Sequence, residues 1–322
     1  MKRAKNKTLK TLCALILLFA SVFLLSCSMI RGYSEPEDQL VVSLMGFDIE
    51  DGDVRVSLAI AADGERGGER RVSGIGKTVE DALSTIAAAE SKTLDGAHLA
   101  VIVLGRGVDN EKLLEIARFC KENVDISVAV RLVSATDAKG LIEGFSGYGL
   151  LGMLTEGDGA PFSSESRLYT VLSALDSNDK YVSIPHFSEV DGGFGLYGIR
   201  VCGGGGSVVL DRSEGATYMM MRGSYKQGKG FSSGLSGSDH PSFARTEYRF
   251  EETDGGGVLW VVCEVAGGSA ELTQSRMKGL YAELSGRYGD IFGFVERARA
   301  KGFSGNSLSE LTVKFECVER GE

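Results

Sequence analysis

The N-terminal segment constrains this chain most, because it decides which residues are free to fold. Met1–Lys10 carries five Lys and Arg residues and no acid, and Leu12–Leu25 is an unbroken run of apolar and small residues. A membrane-spanning helix needs about 20 apolar residues, so this run is too short. A basic start followed by about 7–15 apolar residues is typical of a secretory signal peptide. The pattern therefore predicts export.

The apolar run ends in Leu24-Leu25-Ser26-Cys27, which looks like a bacterial lipobox. In such proteins the peptide is cut before the Cys, whose thiol carries acyl chains such as palmitate. Each buried acyl CH₂ contributes about 0.8 kcal/mol, and two chains anchor stably. We expect residues 1–26 to be a lipoprotein signal peptide and Cys27 to be the lipidation site. An uncleaved anchor that ends at Cys27 is the alternative.

The charge of the predicted mature chain excludes some partners. Without residues 1–26 it keeps 30 Lys and Arg against 44 Asp and Glu, a net charge of −14. Such an acidic body does not suit nucleic acid or anionic lipid. The remaining length is enough for two domains with cores of their own.

The cysteines are spread along the chain without a CxxC motif or a close pair. Cys120, Cys263 and Cys317 alternate with apolar residues and are expected to be small buried hydrophobes. Cys202 lies two residues after Arg200, on the same face of the predicted strand, so its thiol is expected to be exposed. The pattern does not indicate a disulfide. Unpaired cysteines in an exported protein hint at a compartment that is not strongly oxidising.

The pattern of residues 39–190 predicts an N-terminal α+β domain behind a short lipid-anchored linker, residues 27–38. Two strands flank Asp51-Gly52, a strong hairpin signal. Thr78 and Asp81 have the spacing of a capping box, so a helix is expected to start there. Beyond it, strands alternate with short amphipathic helices. The fold class is therefore α+β, with mixed sheets and flanking helices in two main domains.

Residues 191–322 are predicted to form a C-terminal α+β domain with one long helix. Asp191-Gly192-Gly193 is a good boundary, and three strands are expected to follow, the third being ATYMMMRG (216–223). Residues 226–241 are loop-like. Residues 273–301 are expected to be mainly helical, and LTVKFECVE closes the chain as a strand.

Several catalytic motifs are incomplete. Gly76-Lys77-Thr78 resembles the end of a P-loop, but Arg71 stands where the first glycine is needed. Gly-Phe-Ser-Gly at 144–147 and 302–305 is one residue short of the hydrolase elbow, so both are expected to be helix-ending turns. The three histidines have no ligand spacing, and His98 is expected to pack or hydrogen-bond at a strand start. A triad assembled in space stays open, but no catalytic, cofactor or metal residue is predicted.

The order of motifs resembles the spore germinant receptor C-subunit lipoproteins, the Ger(x)C family. Four segments carry the resemblance, together with Cys27. They are Gly46-Phe47-Asp48, the helix start Gly76–Leu83, the strand His98–Gly105 and Asp290-Ile291-Phe292-Gly293-Phe294. The family pattern places the last of these inside the long helix of its final domain. Two features depart from it: Ser28-Met29-Ile30-Arg31 replaces a Trp-Asp motif, and residues 224–256 look shortened.

The resemblance implies a function in spore germination. Such a protein is a non-catalytic subunit at the outer face of the spore inner membrane, where it assembles with integral membrane subunits that sense nutrients. It has no cofactor. Whether it binds a small molecule directly stays open. The alternatives are a solute-binding envelope lipoprotein that hands a ligand to a transporter, and an envelope hydrolase.

Overall fold

The computed structural model of the chain describes residues 39–62, 68–123, 125–157, 159–177, 180–225, 241, 243–253 and 256–320. The strands are β1 Gln39–Glu50, β2 Asp53–Ala61, β3 Glu69–Gly76, β4 Thr93–Asp95, β5 Val101–Leu104, β6 Arg131–Ala135, β7 Tyr181–Val190, β8 Gly193–Gly203, β9 Gly206–Asp211, β10 Phe243–Thr253, β11 Gly256–Ala266 and β12 Leu311–Glu319. The α-helices are α1 Val79–Glu90, α2 Asn110–Glu122, α3 Ala138–Gly144, α4 Gly147–Thr155, α5 Leu168–Leu175, α6 Arg212–Met221, α7 Ala270–Tyr288 and α8 Phe294–Arg299; residues Ala160–Phe162 and Leu308–Glu310 form 3₁₀ turns.

The first nine strands form one mixed sheet in the order β3-β2-β1-β5-β6-β7-β8-β9, and β4 pairs with β1. Strands β1, β5, β6 and β7 are parallel at the centre, and antiparallel strands extend the sheet at both ends. The Asp-Gly signal between β1 and β2 is confirmed. Asp51 and Gly52 both have positive φ, at 52° and 87°, as a two-residue hairpin turn requires.

Helices cover both faces of the large sheet. Side chains alternate across a strand, and in β5 Ile102 and Leu104 pack with α1, α2 and α5, whereas Val101 and Val103 pack with α3, α4 and α6. The sheet therefore separates two apolar cores. This arrangement confirms the predicted α+β class.

The last three strands form a second sheet in the order β10-β11-β12. Strands β10 and β11 are antiparallel, and β11 and β12 are parallel. Leu259, Val261 and Cys263 on one face are buried in the same cluster as Met277 and Leu280 of α7. That cluster also contains α6 and one face of the large sheet, so one continuous core joins the two sheets.

The structure corrects the predicted strand at ATYMMMRG. Residues 212–221 are the helix α6, which starts with a capping box between Asp211 and Glu214. Every residue from Gly215 to Met221 is buried. A helix that is apolar all round has no alternating or amphipathic face, which explains why its pattern was read as a strand.

The predicted domain boundary between residues 190 and 191 falls within a hairpin. Strands β7 and β8 pair along their whole length, with Val190 opposite Gly193 at the turn. Asp191 and Gly192 have positive φ there, so the Asp-Gly-Gly signal marks a tight turn. Strands β8 and β9 consequently belong to the large sheet, and the change of sheet comes between Asp211 and Phe243.

Candidate functional site

The predicted lipidation site lies outside the described residues. Cys27, the signal peptide 1–26, the linker 27–38 and most of the loop-like segment 226–241 are all in this position. Within the part of the chain that the structure describes, no helix is long and apolar enough to cross a membrane. Lipidation of Cys27 therefore stays a prediction.

The segment that resembles the end of a P-loop is a helix cap. Thr78 Oγ1 accepts a hydrogen bond from Asp81 N at 3.1 Å, and Thr78 N donates to Asp81 Oδ2 at 3.3 Å. The predicted capping box is confirmed. A Cβ at Gly76 would meet the backbone of α1 at 2.5 Å, so this glycine serves close packing.

The Gly-Phe-Asp motif places a buried carboxylate at the centre of the large sheet. Asp48 is 2% exposed and accepts backbone N–H bonds from Arg106, Ala138 and Lys139 at 2.7, 3.0 and 3.1 Å. It thereby caps α3, whose own N-cap residue, Asp137, makes no side-chain bond. Burial raises the pKa of Asp48, although these backbone hydrogen bonds act in the opposite direction. The arrangement is a structural anchor.

The Asp-Ile-Phe-Gly-Phe motif breaks the C-terminal helical region, which corrects the expectation that it lies inside the long helix. Helix α7 ends at Tyr288, and Gly293 has a φ of 69° before α8 starts at Phe294. Asp290 caps α8 by accepting from Phe294 N at 2.6 Å and Val295 N at 2.8 Å. The rings of Phe292 and Phe294 stack with their centroids 5.3 Å apart, and the ring of Tyr218 in α6 lies beside Phe292.

An ion pair whose side chains are only 13% and 15% exposed lies where the two sheets meet. Glu165 Oε1 accepts from Arg222 Nε and Nη2 at 3.2 and 3.1 Å and from Ser224 Oγ at 3.0 Å. Its Oε2 accepts from Ser183 N and Oγ, both at 3.1 Å. Burial by itself lowers the pKa of Arg222, but Tyr218 and Glu165 raise it above its ordinary value. Glu165 therefore connects the start of β7 to Arg222 and Ser224 at the end of α6.

The Arg222 region is also bonded to the Asp-Ile-Phe-Gly-Phe turn. Tyr218 Oη donates to Ile291 O at 2.9 Å, and Arg297 Nη2 donates to Arg222 O at 2.8 Å. Arg297 also donates to Phe292 O at 2.9 Å and lies over the Tyr248 ring at 5.0 Å. The motif that carries the resemblance is therefore the connection between α6 and the C-terminal sheet.

A cleft of about 930 Å³ opens beside this junction. One wall comes from Glu165, α5 and the start of β7, and the other from the end of α7 and from α8. Lys180 and Glu296 form an ion pair at 3.4 Å on the exposed rim. The walls of the cleft carry negatively and positively charged side chains, together with Tyr169, Tyr181 and Tyr288. Clefts between structural units are common ligand sites, so this cleft is a candidate binding site.

His98 lines a second cavity, of about 510 Å³, and is exposed rather than packed. Beneath it, Glu69 Oε1 accepts from Ser43 Oγ at 2.5 Å and from Gly147 N at 3.1 Å. Arg71 donates to the carbonyls of Ile142 and Phe145 at 2.7 and 2.8 Å. These bonds fasten the turn at 144–147 to the sheet, and this Gly-Phe-Ser-Gly ends α3 as predicted.

A serine and a histidine meet inside the large sheet. Ser134 Oγ and His186 Nδ1 are 2.8 Å apart, and both side chains are buried. Burial, and secondarily Arg200, lowers the pKa of His186 to about 4. The ring of Tyr197 lies edge-on to the imidazole at 6.1 Å. The sequence offered no signal for this pair, because its members are 52 positions apart along the chain.

The prediction for Cys202 was wrong. Its side chain is fully buried, because this end of β8 packs against helices on both faces, although Tyr197 of the same strand is 45% exposed. Cys120 and Cys263 are buried as predicted, and Cys317 is half-buried. All four are free thiols. Among the described residues, no group of three His, Cys, Asp or Glu side chains is placed to hold a metal ion.

Sequence reasoning missed Glu165 and Arg222, which form the centre of the junction. Glu165 lies in a segment without periodicity, and Arg222 directly follows the helix that was read as a strand. Once α6 is recognised as a fully apolar helix, a charged residue at its end signals a buried partner, because buried charges are paired.

Comparison with known proteins gives the family. Residues 32–189 match the spore germination protein N-terminal domain, in a region that contains the Asp48, capping-box and His98 motifs. This match identifies a spore germination protein N-terminal domain in residues 32–189 and confirms the family that the order of the motifs predicted.

The solved structures include one similar chain, the crystal structure of the GerBC protein. It aligns with 86% of this chain and 96% of its own length, at 11% sequence identity and a TM-score of 0.41. No curated protein matches this chain.

Proposed function

We propose that this chain is the non-catalytic lipoprotein subunit of a membrane-bound nutrient germinant receptor that triggers spore germination. The observation that carries the proposal is the family match over residues 32–189. Three carboxylates, two in the family motifs and one at the junction, act as anchors, which supports a non-catalytic subunit. Asp48 and Asp290 cap helices, and Glu165 is fully hydrogen-bonded.

The proposed location is the outer face of the spore inner membrane, with Cys27 as the anchor. The partners would be the integral membrane subunits of the same receptor. Because the predicted linker spans only residues 27–38, it reaches at most about 40 Å when fully extended. The folded part would therefore stay close to the membrane and to any subunit within it.

The experiment compares spores that carry the unaltered chain, Cys27→Ala, the neighbouring control Ser28→Ala, or a deletion. We expect Cys27→Ala to leave the membrane fraction and to germinate as slowly as the deletion, whereas Ser28→Ala behaves like the unaltered chain. Pull-down of the unaltered chain should recover integral membrane subunits. Normal germination of the deletion strain together with an empty pull-down would refute the proposal. If Cys27→Ala stays with the membrane after a high-salt wash, the lipid is not the sole anchor.

The cleft of about 930 Å³ favours a second candidate, a solute-binding lipoprotein that delivers a ligand to a transporter. That function predicts a rise in the thermal unfolding midpoint with particular amino acids or sugars. Ala substitution of Tyr169, which lines the cleft and is 50% exposed, should abolish the rise. Flat midpoints across such a screen would exclude this candidate and leave the receptor proposal unaffected.

A further inference from the structure

Two cysteines lie directly opposite each other in the C-terminal sheet. In the parallel register of β11 and β12, Cys263 is the partner of Cys317. Both side chains point to the face that α7 covers: Cys263 lies in the core cluster, and Cys317 Sγ is 3.8 Å from Met277 Sδ. The chain positions differ by 54, so the sequence alone did not pair them.

The spacing of the two strands suits a disulfide. Neighbouring strands lie about 4.7–4.9 Å apart, which falls within the Cα separation of about 4.4–6.8 Å seen in disulfides. The Cβ atoms of a disulfide are about 3.8 Å apart, so the strands must approach by roughly 1 Å at this point. Among the described strands, β12 pairs with β11 alone, and this edge position gives it room to move.

The two thiols also interact with each other, unlike the other described cysteines. The hydrogen bond between the two side chains lowers the pKa of Cys263 and raises the pKa of Cys317, and Thr246 lowers the pKa of Cys263 further. The Thr246 Oγ1 to Cys263 Sγ distance is 3.7 Å. By contrast, burial raises the pKa of Cys120 to about 12. A stabilised thiolate beside a second thiol is what thiol–disulfide exchange requires.

We propose that Cys263 and Cys317 are a redox pair, which a small-molecule disulfide oxidises to an intrachain disulfide between β11 and β12. Cys317 is half-buried at the sheet edge, so a reagent reaches the pair from that side. The oxidised form fastens the edge strand to the central strand. It also closes a covalent loop around α7, α8 and the Asp-Ile-Phe-Gly-Phe turn.

The exchange balances with a disulfide RSSR as oxidant. Cys263, as the stabilised thiolate, accepts the Cys317 proton while the more accessible Cys317 sulfur attacks RSSR; the S–S bond breaks, and the leaving RS⁻ takes up that proton to become RSH. The Cys263 thiolate then attacks the Cys317 sulfur of the mixed disulfide, and the second RS⁻ leaves and takes from water the proton that Cys263 lost on ionising. Counted from the dithiol, the pair loses two electrons and two protons, and RSSR becomes two RSH.

The test uses the full-length protein, extracted from membranes in detergent and equilibrated with oxidised glutathione. After N-ethylmaleimide blocks free thiols, trypsin releases Phe250–Arg276 and Phe315–Arg320, which contain the two cysteines. We expect one linked peptide whose mass falls two hydrogens short of the sum, and its disappearance on adding reduced glutathione. Closure of this loop should raise the thermal unfolding midpoint by about 5–10 °C.

The controls replace single cysteines, one within the proposed pair and one outside it. Cys317→Ser should abolish both the linked peptide and the rise in midpoint, whereas Cys120→Ser, which removes an isolated buried thiol, should keep both. Mass mapping of the unaltered protein decides the question even if a variant fails to fold. Recovery of the two peptides separately, each carrying maleimide or glutathione, under conditions that oxidise a reference dithiol would overturn the proposal.

Discussion

The two sheets differ in how they are covered. The nine-stranded sheet has helices on both faces and two separate cores, whereas α7 covers one face of the three-stranded sheet. On the other face, Arg245, Glu247 and Arg249 are exposed, and Lys314 lies over the Trp260 ring at 4.8 Å. The small sheet consequently depends on the core that it shares with α6. This difference predicts that damage at the junction affects the small sheet more.

In both regions of the molecule, an aspartate that accepts backbone hydrogen bonds anchors the fold. Two of the motifs that carry the family resemblance place an aspartate under backbone N–H groups: Asp48 receives three, and Asp290 receives two. Burial raises the pKa of both carboxyls against the effect of these bonds. The family motifs therefore specify the fold and the connection between the sheets.

The largest effect is expected from breaking the ion pair at the junction. Glu165→Gln leaves the buried Arg222 guanidinium without its counter-charge, and losing one partner of a buried pair costs about 3–5 kcal/mol. Urea unfolding should be followed by far-UV circular dichroism and by fluorescence of Trp260, the only tryptophan, which lies in β11. In the variant, we expect the Trp260 transition to move to lower urea than the circular dichroism transition.

The matched control is Glu296→Gln, which removes the exposed partner of Lys180 on the rim of the same cleft. An exposed ion pair contributes at most about 1 kcal/mol, so this variant should unfold nearly as the unaltered protein does. If both variants weaken the protein equally, or if the two transitions of Glu165→Gln coincide, the junction does not couple the sheets as described.

The second prediction compares the two anchors. Asp48→Ala leaves three backbone N–H groups without an acceptor and Asp290→Ala leaves two, at a cost of at least about 1 kcal/mol for each orphaned donor. We expect losses in unfolding free energy of about 3 and 2 kcal/mol. Only Asp290→Ala should shift the Trp260 transition more than the circular dichroism transition. The reverse order of these losses would contradict the role given to the two motifs.

Local patterns predicted the N-terminal half of the fold well. The Asp-Gly turn, the Thr78 cap and the aliphatic strand after His98 each depend on neighbours in sequence. The errors came where the environment is set by distant contacts. Cys202 is buried because helices pack on both faces of β8. Residues of α6 are buried on all sides of the helix, so its sequence shows no amphipathic periodicity.

The junction could not be predicted, because its parts meet only in the folded chain. Glu165 and Arg222 are 57 positions apart, and Tyr218 reaches Ile291 across 73. The Asp-Ile-Phe-Gly-Phe motif could be recognised as a string, but its turn depends on Gly293 at positive φ and on those two contacts. Such information lies in tertiary packing and not in local propensity.

The smallest expected effect is the pH dependence that His186 contributes in the large sheet. Burial holds the pKa of His186 at about 4, against about 6.5 in an unfolded chain. The unfolded state therefore binds a proton that the folded state does not, and stability falls as pH drops from 6.5 towards 4. Between pH 7.5 and 5.0 this loss of unfolding free energy amounts to about 2 kcal/mol, at 1.36 kcal/mol per pKa unit.

His186→Asn, which keeps a polar partner for Ser134, should lose less stability over this range than the unaltered protein does. The small-sheet group Asp290 has a raised pKa, so its contribution runs in the opposite direction and favours folding at low pH. Urea titrations at the two pH values measure the difference, and equal losses in both proteins would show that His186 is not the group that titrates.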